Sequence, residues 1–259
     1  MEEPKVRLEI NKSVANVVIN RPQRLNAIDG GVWHDLYRVA EEINSNPAIR
    51  AVILKGEGRA FSAGLDLKAA ASPEGIDLGM PLREGTEMLK FVSSVFSFYE
   101  KMAPPVIAAI KGVCLGAAME LALACDIRIA SEDAVFSIPE VVYGLVPDGG
   151  GTQRLPRIVG PGMAKELVFT GRKIDAAEAL RIGLVNHVYP DDLLIKEAEK
   201  MAGEIAGNPD NAVQASKRAL NFAMSSSMEA GLAFETAAAE MVLGDRAKDV
   251  FKRKSDQEN

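Results

Sequence analysis

Residues 5–10 and 14–20 alternate apolar and polar side chains around Asn11-Lys12-Ser13, the pattern of a β-hairpin that Arg21-Pro22 then ends. Val32, Leu36, Val39 and Ile43 recur at helical spacing, and Asp29 stands where an N-terminal cap belongs. Ala51 to Leu54 is a short apolar run that reads as a buried strand, followed by a glycine-rich loop from Gly56 to Gly64. Residues 69–85 hold no clear period and read as a mobile surface segment. Met88, Val92, Val95, Tyr99 and Met102 mark a second amphipathic helix, with Thr86 as its cap. Val106 to Ile110 reads as a buried strand, and Lys111-Gly112 turns the chain into a helix containing Glu120.

Short strands are expected at Ile127–Ala130, Val135–Ser137 and Leu184–Val188, with a second glycine-rich loop from Pro139 to Gly151. From Asp191 onward the pattern is helical only, broken at Gly207-Asn208-Pro209. The chain therefore divides near residue 195 into a mixed α/β body, 1–195, and a helical region, 196–259. The helical region has an apolar stripe that needs a surface to pack on, either the body or another subunit.

Composition narrows the chemistry. Apolar residues make up 47% of the 259, enough for a large core. Acids outnumber bases 36 to 30, and a net charge of −6 argues against a general nucleic-acid binder. Cys114 and Cys125 cannot build a disulfide framework or a four-thiolate site, and two histidines, His34 and His187, cannot build a three-histidine metal site. No metal is expected, and acid–base chemistry falls to carboxylates.

The most membrane-like stretch, Pro104 to Cys125, contains Pro104-Pro105, Lys111 and Glu120. A central charge costs about 2.5–3.5 kcal/mol on insertion scales. The stretch reads as strand, turn and helix of a soluble protein with no membrane partner. The acidic start Met1-Glu2-Glu3-Pro4-Lys5 lacks a secretory core, so a cytoplasmic location is expected.

Several motifs fail. Gly56-Glu57-Gly58-Arg59-Ala60-Phe61 lacks the third glycine of a dinucleotide fingerprint, and no phosphate-loop Gly-Lys-Ser/Thr exists. Ala60-Phe61-Ser62-Ala63-Gly64 resembles a nucleophile elbow, but the preceding strand ends too early. Trp33 and the phenylalanines read as core, and His34 and His187 have no evident partner.

Three features remain. Phe61-Ser62-Ala63-Gly64-Leu65-Asp66-Leu67 is a small-residue loop that lets another molecule approach the backbone. Gly116-Ala117-Ala118 opens a helix whose free N–H groups can bind a developing anion. Glu120 lies one turn inside that helix amid apolar neighbours, where a lone acid points to function or to a hidden pairing, and Glu140 follows Pro139 on a separate loop. Backbone donors beside two carboxylates suit proton transfer next to a thioester carbonyl.

These segments, in this order, resemble the crotonase superfamily, the enoyl-CoA hydratase/isomerase family. The resemblance runs through Asn20-Arg21-Pro22, Leu25-Asn26-Ala27, Phe61 to Leu67, Pro105 to Ile110 and Glu120 to Asp126. It continues through Pro139-Glu140, Gly150-Gly151-Thr152-Gln153-Arg154-Leu155-Pro156 and Gly183-Leu184-Val185. It implies an α/β fold, a crotonase-like spiral of repeated ββα units, with a C-terminal all-helical trimerisation region and a homotrimer or homohexamer.

The implied substrate is an acyl-CoA thioester, with no cofactor beyond the coenzyme A it carries, in fatty-acid β-oxidation chemistry. The resemblance makes the N–H groups of Leu65 and Ala117 an oxyanion hole; at the second position hydratases commonly have Gly. It places CoA along Ala63, Gly64, Leu65, Asp66, Leu67 and Lys68, near Arg24 and Gly116, with Phe251 and Lys254 at the nucleotide end.

Glu120 and Glu140 match the two glutamates that hold a water in enoyl-CoA hydratases. Asp148 lies eight residues after Glu140, where Δ3,5-Δ2,4-dienoyl-CoA isomerases carry a proton-shuttling Asp, although those isomerases have Asp where this chain has Glu120. Asp148-Gly149 is equally a turn pair, with Asp148 able to cap the next helix. Hydration of a trans-2-enoyl-CoA leads, double-bond isomerisation is the alternative, and a non-catalytic acyl-CoA- or RNA-binding family member is a remote third.

Overall fold

The computed structural model describes residues 3–70 and 82–243. Its strands are β1 (Val6–Asn11), β2 (Val14–Ile19), β3 (Ala51–Gly56), β4 (Val106–Ile110), β5 (Val113–Leu115), β6 (Ile127–Ser131), β7 (Val135–Ser137), β8 (Ile174–Asp175) and β9 (His187–Tyr189). Its helices are α1 (Gly30–Ser45), α2 (Leu67–Ala70), α3 (Leu82–Lys101), α4 (Ala117–Ala124), α5 (Gly151–Val159), α6 (Pro161–Thr170), α7 (Ala176–Arg181), α8 (Asp191–Gly207), α9 (Asp210–Ala223) and α10 (Met228–Val242). The chain forms two compact units, Met1–Glu204 and Ile205–Asn259.

In the first unit a six-stranded sheet runs in the order β1-β2-β3-β4-β6-β9, and a smaller sheet runs β5-β7-β8. Only the β1–β2 hairpin is antiparallel in the larger sheet. The repeat is visible in how strands are shared out: β4 and β6 enter the large sheet, while the strands that follow them, β5 and β7, pair parallel in the small one. The chain after β3 does the same in miniature, because Ser62 bridges Cys114 of β5.

The corner between β4 and β5 depends on Gly112. Its φ is +57°, and a Cβ there would fall 2.2 Å from the Arg59 carbonyl oxygen. This is the ββα spiral that the family resemblance implies.

Helices cover the sheet through the apolar stripes read from the sequence. Val32, Leu36, Val39 and Ile43 of α1 are buried, and Asp29 caps that helix by accepting from the Val32 N–H at 3.0 Å. α3 lies against α1, with Trp33 meeting Phe96 edge-on at 5.1 Å and the Tyr99 hydroxyl donating to the Leu36 carbonyl at 3.1 Å. In the second unit, α9 and α10 stack Phe222 on Phe234 at 4.8 Å. Among the described residues no helix is long and apolar enough to cross a membrane.

Some boundaries differ from the sequence reading. α3 begins at Leu82, so Thr86 lies inside it and does not cap it; Leu82-Arg83-Glu84 are good helix formers that carry the helix past Gly85. Residues 71–81 of the segment without a period lie outside the described residues, while its ends are helical. The last strand is His187–Tyr189 rather than Leu184–Val188. Leu184 and Val185 are buried, but their N–H groups both donate to the Ala179 carbonyl, and the Leu184 carbonyl accepts from Arg128 Nε, so neither joins a sheet. The Pro139–Gly151 stretch contains a 3-10 turn, Glu140–Tyr143, closed by Gly144.

Candidate active site

Two loops far apart in sequence are joined before they reach the carboxylates. The Asn26 side chain donates to the carbonyls of Glu57 (2.9 Å) and Ala60 (2.7 Å) and accepts from the Arg21 N–H at 2.9 Å. Ser62 Oγ donates to the Asn26 carbonyl, and the Ala63 N–H donates to the Leu25 carbonyl, each at 2.8 Å. Arg21 reaches Asp66 at 3.1 Å and Asp29 at 3.2 Å, which Lys5 also contacts at 2.8 Å.

This network gives Arg21, Leu25 and Asn26 of the Asn20–Ala27 stretch a structural role, and it makes Ser62 a structural hydroxyl. Asn26 is fully buried, and removing it strands two carbonyls and one N–H. Asn26→Ala should cost about 2–3 kcal/mol, read as a lowered thermal midpoint. An unchanged midpoint would mean that these bonds do not hold the loops.

The joined loops fix the direction of the Leu65 amide. The Ile28 N–H donates to the Gly64 carbonyl and the Asp66 N–H donates to the Ile28 carbonyl, the pattern of a parallel bridge. In that pattern the intervening Leu65 N–H points away from Ile28. Gly64, with φ +82°, lets the loop close on the start of α4: a Cβ there would lie 2.3 Å from the Leu115 carbonyl oxygen and 3.5 Å from the Ala117 nitrogen. α4 has Gly116 at its N-cap and no side-chain cap. Among the described residues neither Leu65 N–H nor Ala117 N–H has a hydrogen-bond acceptor. Such a pair can donate to an oxyanion.

Glu120 is 2% exposed. Its Oε1 accepts from the Gly151 N–H at 2.8 Å. Burial pushes its pKa up to about 8, helped by the negative charges of Glu140 and Asp148 and opposed by the amides of Gly151 and Gly149. Glu140 stands at the start of the 3-10 turn, with Oε1 only 2.8 Å from where a Cβ on Gly116 would be. Its Oε2 is buried without a hydrogen-bond partner. Burial raises its pKa, and Asp148 adds to the effect.

Asp148 is solvent-exposed on the same loop, yet nearby protein still raises its pKa through lost hydration. It does not cap α5, whose N-cap is Gly150 with no side-chain cap; the capping role open to Asp148 in the sequence is therefore not taken. The structure thus brings Glu120, Glu140 and Asp148 within electrostatic reach of one another, beside the open end of α4.

Arg24 and Lys68 are exposed, and Arg24 is near enough to Asp66 to lower that carboxyl's pKa. Phe251 and Lys254 lie outside the described residues. Three contributors had no role assigned from the sequence: Asn26 and Arg154, which stand in the segments that carry the family resemblance, and Phe96. The run Gly149-Gly150-Gly151 was the available signal for the last two, because consecutive glycines mark a backbone that something approaches closely. Among the described residues no group of three or more metal-ligating side chains forms.

With this geometry in view, comparison with known proteins is specific. Residues 9–250 match the family Enoyl-CoA hydratase/isomerase. The chain is 43% identical over 239 residues to the short-chain-enoyl-CoA hydratase of Clostridium acetobutylicum, covering 92% of this chain and 89% of that one. It is 39% identical over 241 residues to the mitochondrial Δ3,5-Δ2,4-dienoyl-CoA isomerase of Dictyostelium discoideum, covering 88% and 80%. A Thermobifida fusca protein solved in complex with acetoacetyl-CoA superposes with a TM-score of 0.84 at 32% identity, covering 93% of this chain and 95% of that one. The chain belongs to the enoyl-CoA hydratase/isomerase family of the crotonase superfamily. It is an enzyme of the hydratase/isomerase kind.

Proposed function

We propose that the enzyme adds water across the 2,3 double bond of a trans-2-enoyl-CoA. The observation that carries this reading is the convergence of two raised-pKa glutamates, Glu120 and Glu140, beside the open N-terminus of α4. The thioester oxygen is held by the N–H groups of Leu65 and Ala117. A water lies between the two carboxyl groups. In the reactive form the pair carries one proton, resting on Glu120, whose pKa is lifted to about 8.

The carboxylate takes a proton as the water oxygen bonds to the β-carbon. The π electrons move onto the thioester oxygen as an enolate, which the two amides stabilise. The carboxylic acid then protonates the α-carbon, and the pair again carries one proton. Activity should rise with pH as Glu140 ionises and fall through about pH 8 as Glu120 loses its proton.

Coenzyme A is a polyanion, and the chain's net charge of −6 opposes its approach, so local cations such as Arg24 and Lys68 supply the attraction. The acetoacetyl-CoA complex of the Thermobifida relative supports this substrate class. For assembly, we propose a homotrimer or homohexamer through the second unit, where Leu220, Met224, Met228, Leu232 and Met241 are exposed in the single chain.

The test is loss of conjugated-thioester absorbance with a short trans-2-enoyl-CoA. Glu140→Gln should remove turnover while the protein stays folded, and unchanged turnover would reject the role. Isomerisation of a 3,5-dienoyl-CoA is the second reading, favoured by the electrostatic coupling of Asp148 to both glutamates and by the Dictyostelium relative. Asp148→Asn should then end dienoyl-CoA conversion and spare hydration. The reverse pattern makes Asp148 a turn residue only.

A further inference from the structure

The run Gly149-Gly150-Gly151 presents different sides to two charged groups. A Cβ on Gly149 would lie 2.8 Å from Glu120 Oε2 and 2.0 Å from Phe96 Cε2, and one on Gly151 would lie 2.8 Å from Glu120 Oε1. A Cβ on Gly150 (φ +105°) would instead fall 1.9 Å from Arg154 Nη1. The flanking glycines therefore cradle Glu120, and the guanidinium is seated against the middle one. Arg154 Nη1 donates to the Gly149 carbonyl at 2.8 Å, and Nη2 to Glu100 Oε2 on α3 at 2.8 Å. The Arg154 side chain is 13% exposed, and its Nε is buried without an acceptor, a desolvation cost that ordinary packing does not require.

We propose that Arg154 is a positioning residue: anchored on Glu100, it grips the Gly149 carbonyl and keeps the amides of Gly149 and Gly151 aimed at the Glu120 carboxyl. The inference rests on the hydration reading for its kinetic consequence but not for its structural one. The amide bonds favour the charged carboxylate, so loosening the loop makes Glu120 hold its proton to higher pH. A guanidinium suits the task because its planar fork serves two acceptors at once, whereas a lysine ammonium is a single point.

The experiment compares wild type, Arg154→Met and Arg154→Lys in two ways. The first is the pH profile of kcat and KM on a trans-2-enoyl-CoA. The second is an infrared pH titration of the protonated Glu120 carboxyl, assigned by the band that Glu120→Gln removes. Arg154→Met should lower kcat roughly tenfold to a hundredfold with KM within about twofold. It should move both the alkaline limb and the infrared midpoint upward by about one pH unit. Arg154→Lys, which preserves charge and folding, should fall between.

A Glu120 midpoint that stays at its wild-type value in the folded variants overturns the proposal, whatever happens to kcat. A shifted midpoint in a protein that hydrates no enoyl-CoA upholds the positioning role and rejects the hydration reading instead.

Discussion

Replacing Glu120 with Gln is expected to abolish hydration and, in the same protein, to raise thermal stability as the pH increases. The catalytic loss follows from removing one of two proton-transfer groups, about 10²- to 10⁴-fold in kcat. The gain in stability follows from linkage. In the folded protein Glu120 keeps its proton up to about pH 8, against an ordinary value of 4.5 for the unfolded chain. Between those values the native state binds more protons than the unfolded state, so stability falls as pH rises. The cost is complete above about pH 8, where a bare carboxylate is buried at 2% exposure.

Gln carries no charge to bury, and its amide oxygen can still accept from Gly151. The difference in thermal midpoint between Glu120→Gln and wild type should widen from pH 6 to pH 9. A difference that is flat with pH would mean that Glu120 ionises freely in the fold, and the resting proton assigned to it would be wrong.

Gly64→Ala is expected to be the second most damaging change, although it removes no functional group. The backbone at Gly64 has φ +82°, and the added methyl would stand 2.3 Å from the Leu115 carbonyl oxygen, well inside van der Waals contact. Leu115 is fixed in turn, since its N–H donates to the Ser62 carbonyl at 3.2 Å. The loop must therefore move away from α4, carrying the Leu65 amide with it. Loss of one oxyanion donor costs roughly 10²- to 10³-fold in kcat. KM should change less than kcat, because the variant keeps the cationic side chains of Arg24 and Lys68 proposed to attract coenzyme A. Wild-type kcat in Gly64→Ala would show that the Leu65 N–H does not hold the thioester oxygen.

The two variants differ in a way that separates their causes. Glu120→Gln leaves the backbone in place, so its pH-dependent stability reads only a buried charge. Gly64→Ala leaves every titratable group in place, so its stability should fall by the same amount at pH 6 and pH 9.

By itself the sequence determined the hairpin, the buried faces of α1 and α3, the strands at Val106 and Val135, and the helix that buries Glu120. Each is a local pattern of side chains repeating with the period of its element, and such a pattern survives without knowledge of neighbours. It also pointed proton chemistry toward carboxylates, because two histidines and two cysteines leave few alternatives. β5 and β8 were not legible as strands, since Val113–Leu115 runs on into the small apolar residues that open α4 and β8 has only two residues. The Leu184–Val185 run misled, because apolar residues are buried in loops as well as in strands when their backbone groups find other partners.

The tertiary structure alone decided the site's electrostatics. Glu120 lies on α4 and Glu140 and Asp148 on the loop before α5, and only folding puts their charges in reach of one another and takes Glu120 away from water. It alone gave Asn26 and Arg154 their tasks. Asn26 acts through the carbonyls of Glu57 and Ala60, and Arg154 through the nearby Gly149 carbonyl and the distant Glu100 carboxylate; a backbone carbonyl carries no signature in the sequence. The three glycines beside Arg154 were visible as letters, but which of them faces a glutamate and which a guanidinium depends on the path of the chain in three dimensions.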